Sequence, residues 1–270
     1  MTLRLLTLVV LLPLACNRTP TPAPTSASTS PSPPTPAEAV APPRTLPEEL
    51  QPIAMLIERG ALPQARQAVE AFRAGNPASA DGAFLEGLVY HRARRYAEAA
   101  PRFEDAIRLD PDYTLVQHFL GWARFHLGDL AGARTAFRTH LAADPHEPDS
   151  MFGLGLIAVE DGRLDDAEAR FLDAIAIIEG LAESDPARHA RRRIDLGKCH
   201  ARLGDLAFAR GDYEQARDLL ERAVEQDPDQ YTAYFTLSQV ERRLGHVERA
   251  DEWQRRHAEI MRAREAAKSP

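Results

Sequence analysis

The stretch D-G-A-F-L-E-G-L-V-Y-H-R-A-R-R-Y-A-E-A-A-P-R-F-E-D-A-I-R-L-D-P, Asp81 to Pro111, decides how the chain is read. Counted from Ala80 as the first residue, Gly87 is the eighth, Tyr90 the eleventh, Ala99 the twentieth, Phe103 the twenty-fourth, Ala106 the twenty-seventh and Pro111 the thirty-second. Gly121, Ala133, Phe137 and Pro145 lie 34 residues after Gly87, Ala99, Phe103 and Pro111. Self-similarity at this period is the mark of stacked helical units, each too small to bury its apolar face alone.

Small and aromatic residues at these places resemble the tetratricopeptide repeat family, a helix–turn–helix of about 34 residues. The resemblance implies an all-α fold, a right-handed superhelical solenoid, over Leu46–Arg264. Six units follow from the phase: 46–79, 80–113, 114–147, 148–181, 197–230 and 231–264, with 265–270 as a tail. Polar or glycine-containing turns such as Leu127-Gly128-Asp129 and Asp161-Gly162-Arg163 join the two helices of a unit. Asp110-Pro111, Asp144-Pro145, Asp185-Pro186 and Asp227-Pro228 close units, since the residue before proline is driven out of the helical region.

From Pro145 to Pro186 the spacing grows to 41 residues, and from Pro186 to Pro228 to 42. The excess over one repeat is about two helical turns on each side. Long helices are therefore expected at Leu164–Ser184 and Ala187–Arg210, with 182–196 as an extended-helix insertion. The Arg- and Glu-rich end of the last unit gives it the polar outer face that a terminal repeat needs.

Upstream, residues 1–15 carry Arg4 and an apolar run from Leu5 to Leu14, too short to span a bilayer and suited to a secretory signal. The run ends Pro13-Leu14-Ala15-Cys16, which resembles a bacterial lipobox with Pro13 where that family has Leu. The resemblance implies lipidation at Cys16, and Asn17 after it is similar to lipoproteins sent to an outer membrane. Residues 16–45 are rich in Pro, Thr, Ser and Ala, so a disordered tether is expected, with a reach on the order of 80–90 Å. The expected location is the cell envelope: an outer-membrane-anchored lipoprotein on the periplasmic side, touching the membrane through its lipid anchor alone.

Composition narrows the function. A hydrophobic content of 44% with 7% aromatic residues suits stacked helices, and a formal net charge of −7 argues against nucleic acid as a partner. With Cys16 modified, Cys199 has no mate in the chain and reads as a buried, inert thiol. No G-x-S-x-G, H-E-x-x-H, phosphate-binding loop or paired-cysteine motif occurs, so neither a catalytic residue nor a cofactor is assigned. Gly153-Leu154-Gly155 lies mid-helix and reads as close packing.

A second stripe marks the first helix of successive units. Phe84, Leu88 and His91 are spaced i, i+4, i+7, as are His118, Trp122 and Phe125, and again Phe152, Leu156 and Val159. The family resemblance implies that this stripe lines a concave groove for a peptide or helix; the competing reading is simple core. The Lys and Asn with which some members grip chaperone tails are replaced here by Phe84 and Leu88, or His118 and Trp122. His91, His118 and His126 raise the thought of a metal, but no carboxylate or cysteine joins them at ligand spacing, and none is assigned.

Arg188, Arg191, Arg192 and Arg193 form a candidate patch for an anionic partner, against a solvated face paired with Glu179, Glu183 and Asp185. The resulting expectation is a non-enzymatic scaffold or adaptor, monomeric, binding a protein of the envelope such as pilus or cell-wall machinery. A self-associating structural envelope protein is the alternative, and a cryptic metal-dependent activity the remote one.

Overall fold

The computed structural model describes residues 44–266, and among them the regular structure is helical throughout. After a 3-10 turn at Glu48–Leu50 come α1 (Gln51–Glu58), α2 (Leu62–Gly75), α3 (Ala80–Arg92), α4 (Tyr96–Leu109), α5 (Leu115–His126), α6 (Leu130–Ala143) and α7 (Pro148–Glu160). They continue with α8 (Leu164–Ser184), α9 (Pro186–Arg191), α10 (Arg193–Arg210), α11 (Tyr213–Gln226), α12 (Tyr231–Arg243) and α13 (Val247–Ala266). Each helix packs on the one before and the one after, and first helices also touch across units, as α3 does α5 and α5 does α7. This nearest-neighbour stacking is a helical solenoid. Among the described residues no helix is long and apolar enough to cross a membrane. The signal, Cys16 and tether expectations fall outside the described residues.

The turns inside the units share one hydrogen-bond pattern. The amide after the turn residue donates back five residues: Ala61 to the Leu56 carbonyl, Arg95 to Tyr90, Asp129 to Arg124, Arg163 to Ala158, Asp212 to Ala207 and His246 to Glu241. This closure requires a left-handed residue just past the helix. Gly60, Gly128, Gly162, Gly211 and Gly245 supply it, and in the second unit Arg94 does so at φ 57°. At the exits, Asp110, Asp144, Asp185 and Asp227 have left the helix, with ψ between 77° and 93°.

The core runs through the seam between the two helices of each unit. Phe103, Phe137, Phe171 and Leu220, the twenty-fourth residue of successive units, are fully buried. Phe137 explains the small residues facing it: a Cβ on Gly121 would lie 2.6 Å from its ring, and one on Gly153 also 2.6 Å. The stretch Gly153-Leu154-Gly155 thus serves close packing.

The insertion differs in one respect from its expectation. Helix α8 covers Leu164–Ser184 as read from the spacing, but the single helix expected over Ala187–Arg210 is split at Arg192, whose ψ is 3°. Helix α9 buries none of its residues, whereas α10 buries nine. Short helices hold their direction by the face they bury, and α9 has none to align it with α10.

Candidate functional site

The first helices place the stripe residues at two depths. Phe84 and Phe152 are buried, while Leu88, His91, His118, Trp122, Phe125, Leu156 and Val159 are half-buried and none is fully exposed. Phe84 is covered by Tyr113 and Phe119, at centroid distances of 5.1 and 5.4 Å. His91 meets Tyr96 edge-on at 5.3 Å, and His126 stacks on the same Tyr96 at 4.2 Å. Trp122 stands between Phe125, Phe137 and Phe152 at 5.7, 5.3 and 6.4 Å. The stripe is therefore a largely aromatic seam, its inner edge shared with the core and its outer edge half-buried.

Polar contacts fix the middle of that seam. The Trp122 indole N–H donates to Asp149 Oδ2 at 2.8 Å, and His118 Nε2 lies 3.3 Å from the same oxygen. His118 Nδ1 and His140 Nδ1 both meet Ser150 Oγ, at 3.0 and 2.9 Å. One hydroxyl proton serves at most one of these rings, so at least one imidazole offers its N–H to the serine oxygen. Burial pushes His118 down to about 3, helped by His140 and Arg192, so the imidazole is neutral at physiological pH. Burial lowers His140 as well. Burial and then Asp195 raise the Asp149 carboxyl, while Lys198 and the indole N–H pull it down.

Ser150, His118 and Asp149 have the residue types of a nucleophile, base and acid, but Ser150 is 0% exposed and its oxygen is held by two rings. No acyl group reaches it, and the trio acts as a brace.

Charge gathers where α7 meets α10. Arg192 grips Glu147 through both carboxylate oxygens, at 2.8 and 3.0 Å, and also pairs with Asp195 at 3.1 Å, which Lys198 approaches at 2.8 Å. Burial raises the Glu147 carboxyl, against the pull of Arg192. The four arginines of the candidate anionic patch are unequally engaged. Arg192 faces Glu147, Arg193 donates to the Glu225 carbonyl at 2.8 Å, Arg191 is exposed and Arg188 is half-buried. Among the described residues no set of three His, Cys, Asp or Glu side chains is placed to hold a metal ion. The His118 neighbour in this network is His140, which the sequence reading passed over. Burial pushes the Cys199 thiol up to about 12, where it is un-ionised and inert.

Asp149 and Ser150 were also missed. The signal for Asp149 was available: it precedes Phe152 by three residues and so shares its helical face. Ser150 carried no such signal, because its partners lie on α5 and α6.

Comparison with known proteins agrees with this architecture. The family described as Tetratricopeptide repeat matches residues 56–114, 119–186 and 201–270. Cellulose synthase operon protein C of Pseudomonas fluorescens (strain SBW25) is 26% identical over 59% of the chain, and the chain spans 12% of that protein's length. The crystal structure of the APC/C hetero-tetramer Cut9-Hcn1 superposes with a TM-score of 0.67 at 15% identity, over 78% of this chain and 39% of that one. The structure described as PilW, widely conserved type IV pilus biogenesis factor, superposes with a TM-score of 0.61 at 16% identity, over 76% and 88%. At such identities the structural likeness speaks for the fold alone. With the matched segments covering most of the array, and with its turns, exits and buried phenylalanines repeating in phase, the chain belongs to the tetratricopeptide repeat family.

Proposed function

We propose that the chain is a membrane-tethered adaptor that holds a peptide or helix of an envelope partner along the seam of α3, α5 and α7. Tetratricopeptide repeat proteins are protein-interaction scaffolds, so partner binding is the class of function in view. The observation that carries the choice of face is Trp122: half-buried among three aromatic rings, with its indole N–H fixed on Asp149. A large aromatic residue held rigid at a partly open seam offers contact area at little ordering cost, as binding anchors do. Tethering is supported by the apolar run ending at Cys16 and by the proline-rich stretch after it. An envelope partner, in pilus or cell-wall assembly, is in keeping with the lipobox-like start of the chain and with the sequence likeness to a cellulose synthase operon protein. An outer-membrane lipoprotein facing the periplasm is the matching location.

The test replaces Trp122 and Phe125 together by Ala in the anchored protein, then measures melting and the proteins co-purified from gently solubilised envelopes. The adaptor reading expects a folded array that has lost one specific companion. A companion retained at full yield by a destabilised array would make the seam core and overturn the assignment.

A further inference from the structure

A second site lies between the second helices, and none of the nine stripe residues lines it. Helices α6 and α8 flank a cavity of about 330 Å³ whose rim carries Arg134, Arg138, Arg163 and Arg170. Leu154 and Ala158 of α7 form its apolar floor. The volume stands at the small end of ligand sites, enough for one or two side chains.

The guanidiniums are unequally engaged. Arg134 and Arg163 share Asp161 at 2.5 and 2.8 Å, and Arg163 also holds Asp166 at 2.6 Å. Arg170 has only Asp173 of its own helix, at 3.6 Å. Arg138 is exposed and meets no acceptor among the described residues, and Arg134 Nε is shielded from solvent, likewise without an acceptor among them. Four guanidiniums face three carboxylates, leaving one surplus positive charge. An exposed guanidinium without an acceptor, beside an apolar floor, is free to pair with an incoming anion.

We infer that this cavity binds a single carboxylate carried on an apolar body, as found at the chain terminus or a glutamate side chain of a protein partner. One surplus charge matches one carboxylate rather than a dianionic phosphate. Arg138 supplies the donor, and the floor of Leu154 and Ala158 takes the attached methylene or methyl groups. A partner lying along the first-helix seam and an acidic group seated here would contact different faces of the same units, so each can be lost without the other.

The probes are N-acetyl-leucine for a chain terminus and N-acetyl-glutamate α-amide for a side chain, with N-acetyl-leucinamide and inorganic phosphate as controls. Each is titrated into the full chain while NMR follows the arginine Nε–H signals and the amides of α6 and α8. Saturable shifts with one or both carboxylates and none with the amide are expected, and the tighter of the two names the source. Arg138→Gln is expected to weaken the binding about tenfold with an unchanged melting temperature, as for one charge-assisted contact. Absence of saturable shifts, equal shifts with the amide, or an affinity indifferent to Arg138→Gln would overturn the site. Phosphate binding tighter than either carboxylate would overturn the single-charge assignment.

Discussion

Arg94 stands where the other five turns of the array carry glycine, and it adopts the same left-handed backbone, φ 57°. A side chain in that region costs about 1 kcal/mol because Cβ crowds the carbonyl oxygen. The turn is nevertheless closed by the same bond, Arg95 N–H to the Tyr90 carbonyl at 2.9 Å, so the surrounding unit holds the strained residue in place. Arg94→Gly is therefore expected to stabilise the protein by up to roughly 0.5 kcal/mol, the strain relieved less the extra freedom of glycine in the unfolded chain. Thermal or urea unfolding measures it; a loss of stability would mean that the arginine side chain makes a compensating contact. At this scale much was legible in advance. Gly128 and Gly162 announced their turns because a left-handed residue is a property of one backbone position. Ser150 announced nothing, because its role depends on two imidazoles brought to it by other helices.

The element most characteristic of this chain is the long pair α8 and α10 with the short α9 between them. Spacing alone reveals the added length, since seven or eight residues keep the helical phase. The break at Arg192 was illegible for the opposite reason: nothing in Pro186–Arg191 violates helix chemistry, and α9 buries no residue that would hold it in one run with α10. What anchors the start of α10 is the two-oxygen grip of Arg192 on Glu147, reaching back across α8 to the N-terminus of α7. Glu147→Gln leaves a half-buried guanidinium with a weaker acceptor and is expected to cost roughly 2 kcal/mol. In a stack held by neighbouring contacts the damage stays local. Hydrogen exchange should accelerate in α9 and the first turns of α10 while α3 and α4 keep their protection. Uniform acceleration along the array would contradict that local account.

At the scale of the whole array, the thirteen α-helices among the described residues form six packed pairs with one short helix inserted, and the two faces of the array differ in kind. The first helices α3, α5 and α7 present an aromatic seam, partly sunk into the core, whose middle is braced by Asp149, Ser150 and two histidines. Between the second helices α6 and α8 lies the arginine-rimmed cavity. The i, i+4, i+7 spacing disclosed the seam because face membership follows from helical geometry alone. How deeply Phe84 and Phe152 sink, and that Trp122 is pinned by an aspartate 27 residues away, depends on packing between units and appears only in three dimensions. On the proposed function, this seam holds a protein partner. That claim is tested most directly by placing a photo-crosslinking residue in turn at Leu88, at Phe125 and at the exposed Arg108 of α4, and irradiating intact cells. The claim expects one and the same foreign polypeptide joined at Leu88 and Phe125 and none at Arg108. Adducts at Arg108 alone, or a second copy of this chain at all three positions, would contradict it.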